Sequence, residues 1–263
     1  MLELIEMGIK RGSRQILQGL NVAIDKGEVV ALVGENGAGK STLLHTLAGS
    51  LPYSGRVLFH DQPLSEWDTD ALATERAVLL QHQSVAFSFS IPEIIGMGRS
   101  AIAESRQHRE ARVGDFISLL ALEAMIERPI TQLSGGERQR VFMAKCLAQL
   151  DAFAQNSEQK LMLLDEPTSA LDIRHQHQLL TLVRLFADQG NTAIVAIHDL
   201  NLASSYADKI LLLHQGTAIA FGTPEQVLTK VKLETAYDTP MHIGYHPDLN
   251  KLMIFSEPKE IHR

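Results

Sequence analysis

The sequence predicts an α/β fold built around a mainly parallel sheet. Short apolar runs that suit buried strands alternate with stretches of helical spacing along most of the 263-residue chain. A glycine-rich stretch directly follows one of these runs, and a pair of acidic residues directly follows another. Strands that alternate with helices favour a mainly parallel sheet, and the ends of its strands are where such a sheet binds ligands.

The first part of the chain predicts short strands, and we expect the fold to include an antiparallel β subdomain. Leu2 to Ile5 and Leu20 to Ile24 have the composition of short strands, and residues 25–28 predict a turn. Further strands are predicted at residues 28–33, 54–59 and 77–80. The last of these leads directly to Gln81.

The middle of the chain predicts a helical insertion into the sheet. Residues 91–150 are mostly helical in pattern, with Pro92 near the start of one helix and Pro129 at the end of another. We expect one apolar face to include Leu119, Leu120 and Leu122.

The remaining strands follow this insertion. Residues 161–164 and 193–197 predict buried strands, and residues 241–255 predict a small hairpin around a His-Pro-Asp-Leu-Asn turn. We therefore expect a single domain in which residues 1–84 and 155–240 form the core with its β subdomain. Residues 85–154 then form a helical subdomain, and residues 241–263 form a C-terminal tail.

The composition narrows the class of function. The net charge of −7 argues against a nucleic-acid surface, because binding to a phosphate backbone needs clustered Lys and Arg. No apolar run approaches the roughly 18 residues of a membrane-spanning helix, and the acidic N-terminus lacks the form of a signal peptide. The single cysteine, Cys146, lies in an apolar stretch, so we expect a buried structural thiol in a reducing compartment.

Residues 34–41 carry the phosphate-binding motif G-x-x-x-x-G-K-S between a predicted strand and a predicted helix. Glycines let backbone N–H groups surround phosphate oxygens, and the following helix directs its positive end at the same anion. Lys40 would reach the β- and γ-phosphates, and the Ser41 hydroxyl would hold Mg²⁺. The alternative, a glycine-rich turn without a ligand, does not explain the strand and helix on either side. The predicted nucleotide-binding residues of this loop are Gly34, Asn36, Gly37, Gly39, Lys40, Ser41 and Thr42.

A second motif is the apolar run 161–164 that ends in Asp165 and Glu166. Asp165 at the strand tip can hold Mg²⁺ through water, and Glu166 can polarise an attacking water molecule. An apolar strand that ends in acids is common by chance. Its presence in the same chain as a phosphate-binding loop favours a catalytic role.

A third motif is Ser134-Gly135-Gly136, which opens a helix predicted at residues 137–150. A helix N-terminus with small residues is a second anion site, and one chain does not need two γ-phosphate sites for one nucleotide. We therefore expect this site to serve the ATP of a neighbouring chain. The alternative is an ordinary capping box, with Ser134 as the cap and Glu137 three residues later.

These motifs, written LSGGERQR, LLDEPTSALD and HD after a strand, resemble the nucleotide-binding subunits of ABC transporters. The resemblance runs from about Leu2 to about Leu228 and includes five motifs in the family's order. It implies a RecA-like P-loop NTPase core that binds ATP and Mg²⁺. It also implies roles for individual residues: Gln81 as the Q-loop glutamine at Mg²⁺, Ser134, Gly135 and Gly136 as the signature, Asp165 as the Walker B aspartate, Glu166 as the catalytic glutamate, residues 169–172 as the D-loop, and His198 as the switch histidine.

The histidines divide into one functional candidate and several structural ones. His198 follows a predicted strand and precedes Asp199, a position at which α/β sheets bind ligands. His175 and His177 are expected on a solvated helix face, because a spacing of two residues does not place them on one side of a helix. Haem binding by His242 and His246 is a further hypothesis, and we favour it less than structural roles.

The sequence departs from the family pattern at the base-stacking position. An aromatic residue usually precedes a glycine upstream of the loop, and Arg11-Gly12 occupies that place here. Arg11 could stack its guanidinium on adenine, or it could be an exposed arginine with no role. Both interpretations stay open.

Longer stretches resemble the ATPases of bacterial iron-chelate, haem and vitamin B12 importers. These stretches are residues 81–99 and 198–229, and haem (hemin) importers fit best. The resemblance implies a homodimer bound to a polytopic permease dimer at the cytoplasmic face of the inner membrane, and it implies a periplasmic substrate-binding protein as an indirect partner. Val85, Phe87 and Phe89 would form the permease-docking patch, unless they belong to the core. The alternatives are a siderophore or vitamin B12 importer, or a soluble ATPase of iron–sulfur cluster assembly.

Overall fold

The computed structural model describes residues 1–81, 87–154, 159–249 and 251–258. The chain divides into two compact units, one formed by Met1–Glu66 with Ile194–Arg263 and the other by Trp67–Ala193. The segment predicted as helical, residues 85–154, lies within the range of the second unit. The predicted subdomain boundaries at residues 84 and 154 stay a prediction.

The first unit combines strands of two sheets, a hairpin and four α-helices among its described residues. Its strands are β1 (Leu2–Arg11), β2 (Arg14–Ile24), β3 (Val29–Val33), β4 (Ser54–Phe59), β5 (Gln62–Pro63), β9 (Lys209–His214), β10 (Thr217–Gly222), β11 (Met241–Tyr245) and β12 (Leu252–Ser256). Its helices are α1 (Lys40–Leu47), α7 (Leu200–Tyr206), α8 (Pro224–Val227) and α9 (Lys230–Tyr237). The predicted strand at residues 54–59 and the predicted C-terminal hairpin are confirmed.

One sheet of this unit is antiparallel, with the strand order β2-β1-β4-β5. Its first two strands are about twice as long as predicted, because the apolar alternation on which the prediction rested is interrupted in the middle. Glu6 and Gly19 have positive φ angles, and the register of β1 against β2 shifts there. The Asn21 side chain closes this irregularity: its Nδ2 donates to Glu6 Oε1 at 2.6 Å, and its Oδ1 accepts from the Glu6 N–H at 2.9 Å.

The other sheet strands of this unit have the order β10-β9-β3. Strands β3 and β9 are parallel, whereas β9 and β10 form an antiparallel hairpin. Every residue of β3 is buried. The C-terminal hairpin is joined to α7 by Asn201, whose side chain accepts from the Ile254 N–H at 2.8 Å and donates to the Ile254 carbonyl at 3.2 Å.

The second unit is mainly helical. Its helices are α2 (Thr69–Glu75), α3 (Ile91–Gly98), α4 (Arg106–Leu119), α5 (Gly135–Gln149) and α6 (Ile173–Asp188), and its strands are β6 (Arg76–Leu79), β7 (Leu161–Asp165) and the first part of β8 (Thr192–Ala196). These strands have the order β8-β7-β6, and β6 runs parallel to β7. The prediction of an α/β fold with parallel strand pairs, an antiparallel sheet and a helical segment is confirmed.

Three details of the helical segment differ from the prediction. Helix α5 begins at Gly135, two residues earlier than predicted, because Ser134 is its cap. Pro129 closes no α-helix and instead precedes a short 3-10 turn at Ile130–Gln132. Leu119 is exposed whereas Leu120 and Leu122 are buried, because α4 ends at Leu119 and the helical spacing does not continue past it.

The single thiol is buried, as predicted. Cys146 lies on the core side of α5, and burial raises the pKa of its thiol to about 12. The described helices include none with both the length and the apolar character of a membrane span.

Candidate functional site

The phosphate-binding motif adopts a loop between β3 and α1 in the first unit. Gly34, Gly37 and Gly39 all have positive φ angles. At Gly34 the backbone excludes any side chain, because a Cβ there would lie 2.2 Å from the Leu213 carbonyl oxygen. The cap residue of α1 is Gly39, which has no side chain that could occupy the helix start, and a phosphate is a suitable ligand for such a start.

Lys40 is the first residue of α1, and its side chain is buried within the loop. The ammonium group donates to the Gly34 carbonyl at 2.6 Å and to the Glu35 carbonyl at 3.0 Å. These bonds hold a positive charge against the backbone that a phosphate would contact. Ser41 and Thr42 follow in the same turn and are partly buried, whereas Asn36 is exposed at the loop's tip.

A cavity of about 310 Å³ opens beside the phosphate loop, within the range of small-molecule sites. Its wall includes Asn36 and Gly37 from the loop, and Arg14 and Gln15 from the start of β2. Arg11 is not among its described lining residues, although Arg11 and Arg14 are partners across the β1–β2 turn. The described lining residues are Arg14, Gln15, Ile16, Glu35, Asn36, Gly37, Ala38, Gln215 and Gly216.

Arg14 and Gln215 are therefore candidate nucleotide contacts that the sequence argument missed. The basic run around Gly12 pointed to this hairpin but could not tell which of its arginines faces the loop. Gln215 carries no sequence signal, since it only occupies the turn between β9 and β10.

His198 belongs to the same unit and is exposed. It follows Ile197, whose N–H donates to the carbonyl of Leu32 in β3 at 3.1 Å. Asp199 then caps α7, because its Oδ1 accepts from the N–H groups of Asn201 and Leu202. Hydrogen bonds thus fix the backbone on both sides of His198. One of these bonds is to β3, the strand that leads into the phosphate loop.

The acidic pair lies in the second unit at the end of β7. Asp165 is 2% exposed, whereas Glu166 is half-buried and has a φ of 50°. Gln81 follows β6, which pairs in parallel with β7, so the two strands end side by side. The Gln81 amide donates from Nε2 to Glu166 Oε2 at 2.6 Å. The structure thereby brings together two predicted site residues that are far apart in the sequence.

The Ser134-Gly135-Gly136 motif starts α5, also in the second unit, and the capping box is present. Ser134 Oγ accepts from the Glu137 N–H at 3.3 Å, and Glu137 Oε2 accepts from the Ser134 N–H at 2.7 Å. Hydrogen bonds to the Glu137 carboxylate lower its pKa, the larger effect coming from the Ser134 N–H and the smaller from the Ser134 hydroxyl. Ser134 and Gly135 are exposed. The cap explains the local structure, and the exposed start of the helix stays available to an anion.

The two histidines considered for haem, His242 and His246, both have local partners. His246 Nδ1 accepts from the N–H groups of Asp248 and Leu249 at 3.2 and 3.3 Å, so its ring closes the turn of the C-terminal hairpin. His242 Nε2 lies 3.1 Å from Glu257 Oε1 on the same hairpin. These contacts agree with structural roles.

The two signature glycines make a matched pair for a stability prediction. A Cβ on Gly136 would lie 2.7 Å from the Ala170 carbonyl oxygen, whereas a Cβ on Gly135 would lie 3.5 Å from the Ala170 Cβ, an ordinary contact.

We expect Gly136→Ala to lose about 1–3 kcal/mol of unfolding free energy through overpacking. That loss lowers the thermal midpoint by about 2–4 °C for each kcal/mol. Gly135→Ala should leave the midpoint within error or raise it. Circular dichroism melts without nucleotide make the comparison, and equal midpoints would contradict the close approach.

Comparison with known proteins gives one consistent result. The family described as ABC transporter matches residues 17–169. The hemin import ATP-binding protein HmuV of Idiomarina loihiensis is 43% identical over 259 residues, which are 98% of this chain and 100% of that protein. The protein of the same name from Pseudomonas putida is 42% identical over 97% of this chain and 100% of its own. A solved metal-chelate type ABC transporter in an inward-facing conformation matches with a TM-score of 0.80 at 29% identity, covering 98% of both chains.

Proposed function

The chain belongs to the ABC transporter family as an ATP-hydrolysing subunit coupled to transport, and from this premise we propose that it powers the import of hemin through a membrane permease. The proposed substrate rests on the similarity to hemin import ATP-binding proteins, which extends across almost the whole chain and includes the C-terminal hairpin. The substrate itself is expected to touch the permease and not this subunit.

ATP is proposed to bind at the phosphate loop. Lys40 and the N–H groups of Gly37, Gly39 and the first turn of α1 would contact its phosphates, as the buried ammonium and the uncapped helix start support. The cavity beside the loop would take the rest of the nucleotide, with Arg14 or Arg11 against the base. His198 would contact the γ-phosphate.

Hydrolysis is proposed to depend on Glu166, which would orient and polarise the attacking water. The Gln81 amide holds this carboxylate through its Nε2 donor. The proposed Mg²⁺ ligands are Ser41, Gln81 and Asp165, because their hydroxyl, amide oxygen and carboxylate are hard oxygen donors of the kind that this ion prefers. When bound, the ion would supply charge neutralisation at the phosphates.

Two chains are proposed to share each nucleotide. Ser134, Gly135 and Gly136 of one chain would cap the γ-phosphate of the ATP bound to the other, which accounts for a second anion site that the chain's own nucleotide does not need. The working unit would be a homodimer at the cytoplasmic face of the inner membrane. It would bind a permease dimer and, through it, act with a periplasmic substrate-binding protein.

The proposed permease contact lies just beyond Gln81. Phe87 is 70% exposed, and its ring meets that of Phe89 edge-on at 6.1 Å between centroids. Phe89 is half-buried, and its carbonyl accepts from the Ile130 N–H at 2.9 Å. Val85, the third residue of the predicted patch, lies outside the described residues. Aromatic residues are enriched at protein-binding surfaces, so the exposed Phe87 is the residue to test.

We expect Phe87→Asp to release the subunit from membranes while the ATPase rate of the isolated chain is kept, because an exposed side chain is changed and no proposed catalytic group is touched. Membrane fractionation with the permease, together with an ATPase assay, measures both. Leu185→Asp is the matched control, since Leu185 is also an exposed apolar residue of the second unit, on α6. If Phe87→Asp stays with the permease as Leu185→Asp does, the docking surface lies elsewhere. If the wild-type chain does not fractionate with membranes, a soluble assembly ATPase is the better interpretation.

The substrate is tested by growth on defined iron sources. A strain that carries only Glu166→Gln should fail to grow with hemin as the sole iron source and should grow normally with a ferric siderophore. The structural similarity to a metal-chelate transporter favours a siderophore as the second candidate. Loss of growth on the siderophore with retained growth on hemin would assign the chain to that substrate instead.

A further inference from the structure

The side chain of Gln139 joins the helix that begins at the signature to the loop that carries Glu166. Gln139 lies on α5 and is half-buried. Its Nε2 donates to the Glu166 carbonyl at 2.9 Å, and its Oε1 accepts from the Ala170 N–H at 3.3 Å. A single amide therefore satisfies one acceptor and one donor of the loop that follows β7.

The backbone at Glu166 needs such support. Its φ of 50° is a conformation that residues other than glycine adopt rarely. Besides Gln139, the Glu166 carbonyl accepts from the Ser169 N–H at 3.3 Å and from Ser169 Oγ at 3.0 Å. Gln139 differs from Ser169 in that it comes from outside the loop, on α5. Its loss would remove the bond by which α5 holds the Glu166 carbonyl.

The same loop touches the start of α5 a second time. A Cβ on Gly136 would lie 2.7 Å from the Ala170 carbonyl oxygen, so helix and loop pack closely here. Gly136 is one residue from the exposed Gly135 and two from Ser134. A displacement of the helix start would therefore act on Ala170 through packing and on Glu166 through the Gln139 amide.

We propose that Gln139 is a positioning residue that ties the orientation of the Glu166 carboxylate to the position of the signature helix. The inference rests on the proposed function, in which Glu166 orients the attacking water and Ser134 caps the partner's nucleotide. A chain whose signature engages the neighbouring ATP would thereby adjust its own Glu166, so that the two shared sites of a dimer are coupled. Gln139 touches neither nucleotide nor water in this scheme and acts through the backbone of Glu166.

The test is Gln139→Met, which keeps the length of the side chain and removes both hydrogen bonds. We expect kcat for ATP to fall about 10- to 100-fold, because a small misplacement of a reacting group is enough for such a loss. The KM for ATP should change less than about threefold, since no proposed nucleotide contact is altered.

The matched control is Gln149→Met at the other end of α5. Gln149 also makes two hydrogen bonds to backbone, from Nε2 to the carbonyls of Ala73 and Arg76, and neither involves the Glu166 loop. It should lose a similar amount of thermal stability and keep the wild-type kcat. An equal fall of kcat in both variants would assign Gln139 a merely structural role.

A double-mutant cycle with Glu166→Gln separates positioning from a general effect on the fold. If Gln139 acts through Glu166, the double variant should hydrolyse ATP at the residual rate of Glu166→Gln alone, measured in single turnover with labelled ATP. A further fall of the same size as in the single variant would overturn the inference. Should Gln139→Met not fold by circular dichroism, Gln139→Glu takes its place, because it keeps the acceptor for Ala170 and loses the donor to Glu166.

The cycle also separates the two levels of the proposal. A wild-type rate in Glu166→Gln alone would overturn the role of Glu166 and, with it, both the proposed mechanism and this inference. An inactive Glu166→Gln together with a wild-type rate in Gln139→Met would overturn the inference and leave the proposed function intact.

Discussion

Replacement of Glu166 by glutamine is expected to lower ATP hydrolysis by about 10²- to 10⁴-fold while ATP binding persists, because the variant loses the proposed base and keeps the shape of the site. The amide has the size of the carboxylate, and its oxygen can still accept the bond that Gln81 Nε2 donates at 2.6 Å. What it cannot do is take a proton from water. Since the phosphate loop is unchanged, the variant should accumulate as an ATP-bound dimer.

Single-turnover hydrolysis, equilibrium binding of an ATP analogue and size-exclusion chromatography with Mg·ATP measure the three consequences. Glu127→Gln, at an exposed glutamate of the same unit, is the control for a loss of one negative charge. Hydrolysis at the wild-type rate in Glu166→Gln would show that another group activates the water.

Substitution of Ser134 by arginine is expected to abolish hydrolysis without loss of ATP binding to the isolated chain. The arginine fills the exposed helix start with bulk, while the phosphate loop of the same chain keeps Lys40 and its bonds. Lys40→Ala should behave in the opposite way and lose ATP affinity. Because Ser134 also caps α5, Ser134→Ala serves as a control that removes the cap, at a cost of about 1 kcal/mol, and adds no bulk.

Mixing the two inactive variants should restore activity, because each mixed dimer contains one composite site with an intact Lys40 and an intact Ser134. The rate is measured against each variant alone at the same total concentration, after time for subunit exchange. If the mixture stays inactive and both single variants lose ATP affinity equally, the two motifs serve one chain's own nucleotide, and the shared-site proposal fails.

Much of the site was predictable because its parts are local in sequence. The strand, glycine loop and helix around Lys40 depend on neighbouring residues and turn chemistry, and so do the buried strand before Asp165 and the cap at Ser134. The family predicted from the motifs is confirmed by the comparisons, as is the α/β class. The roles of the individual site residues stay predictions until the variants are measured.

The prediction from sequence failed where the result depends on how two strands are paired. The lengths of β1 and β2 depend on an irregular pairing at Glu6 and Gly19, which breaks the alternation on which a strand prediction relies. The placement of Arg14 at the cavity depends on which side of the hairpin faces the phosphate loop. Neither follows from residue spacing, because a shift of one residue turns every side chain of a strand to the other face.

The sequence by itself thus determined the chemical groups of this ATPase and the order in which they occur along the chain. The tertiary structure alone decided which of them meet. Gln81 meets Glu166 because β6 and β7 end side by side, and Gln139 reaches the Glu166 carbonyl because α5 packs against the loop after β7. Such contacts join residues that are distant in the sequence, and their energies depend on packing between elements, which no local pattern records.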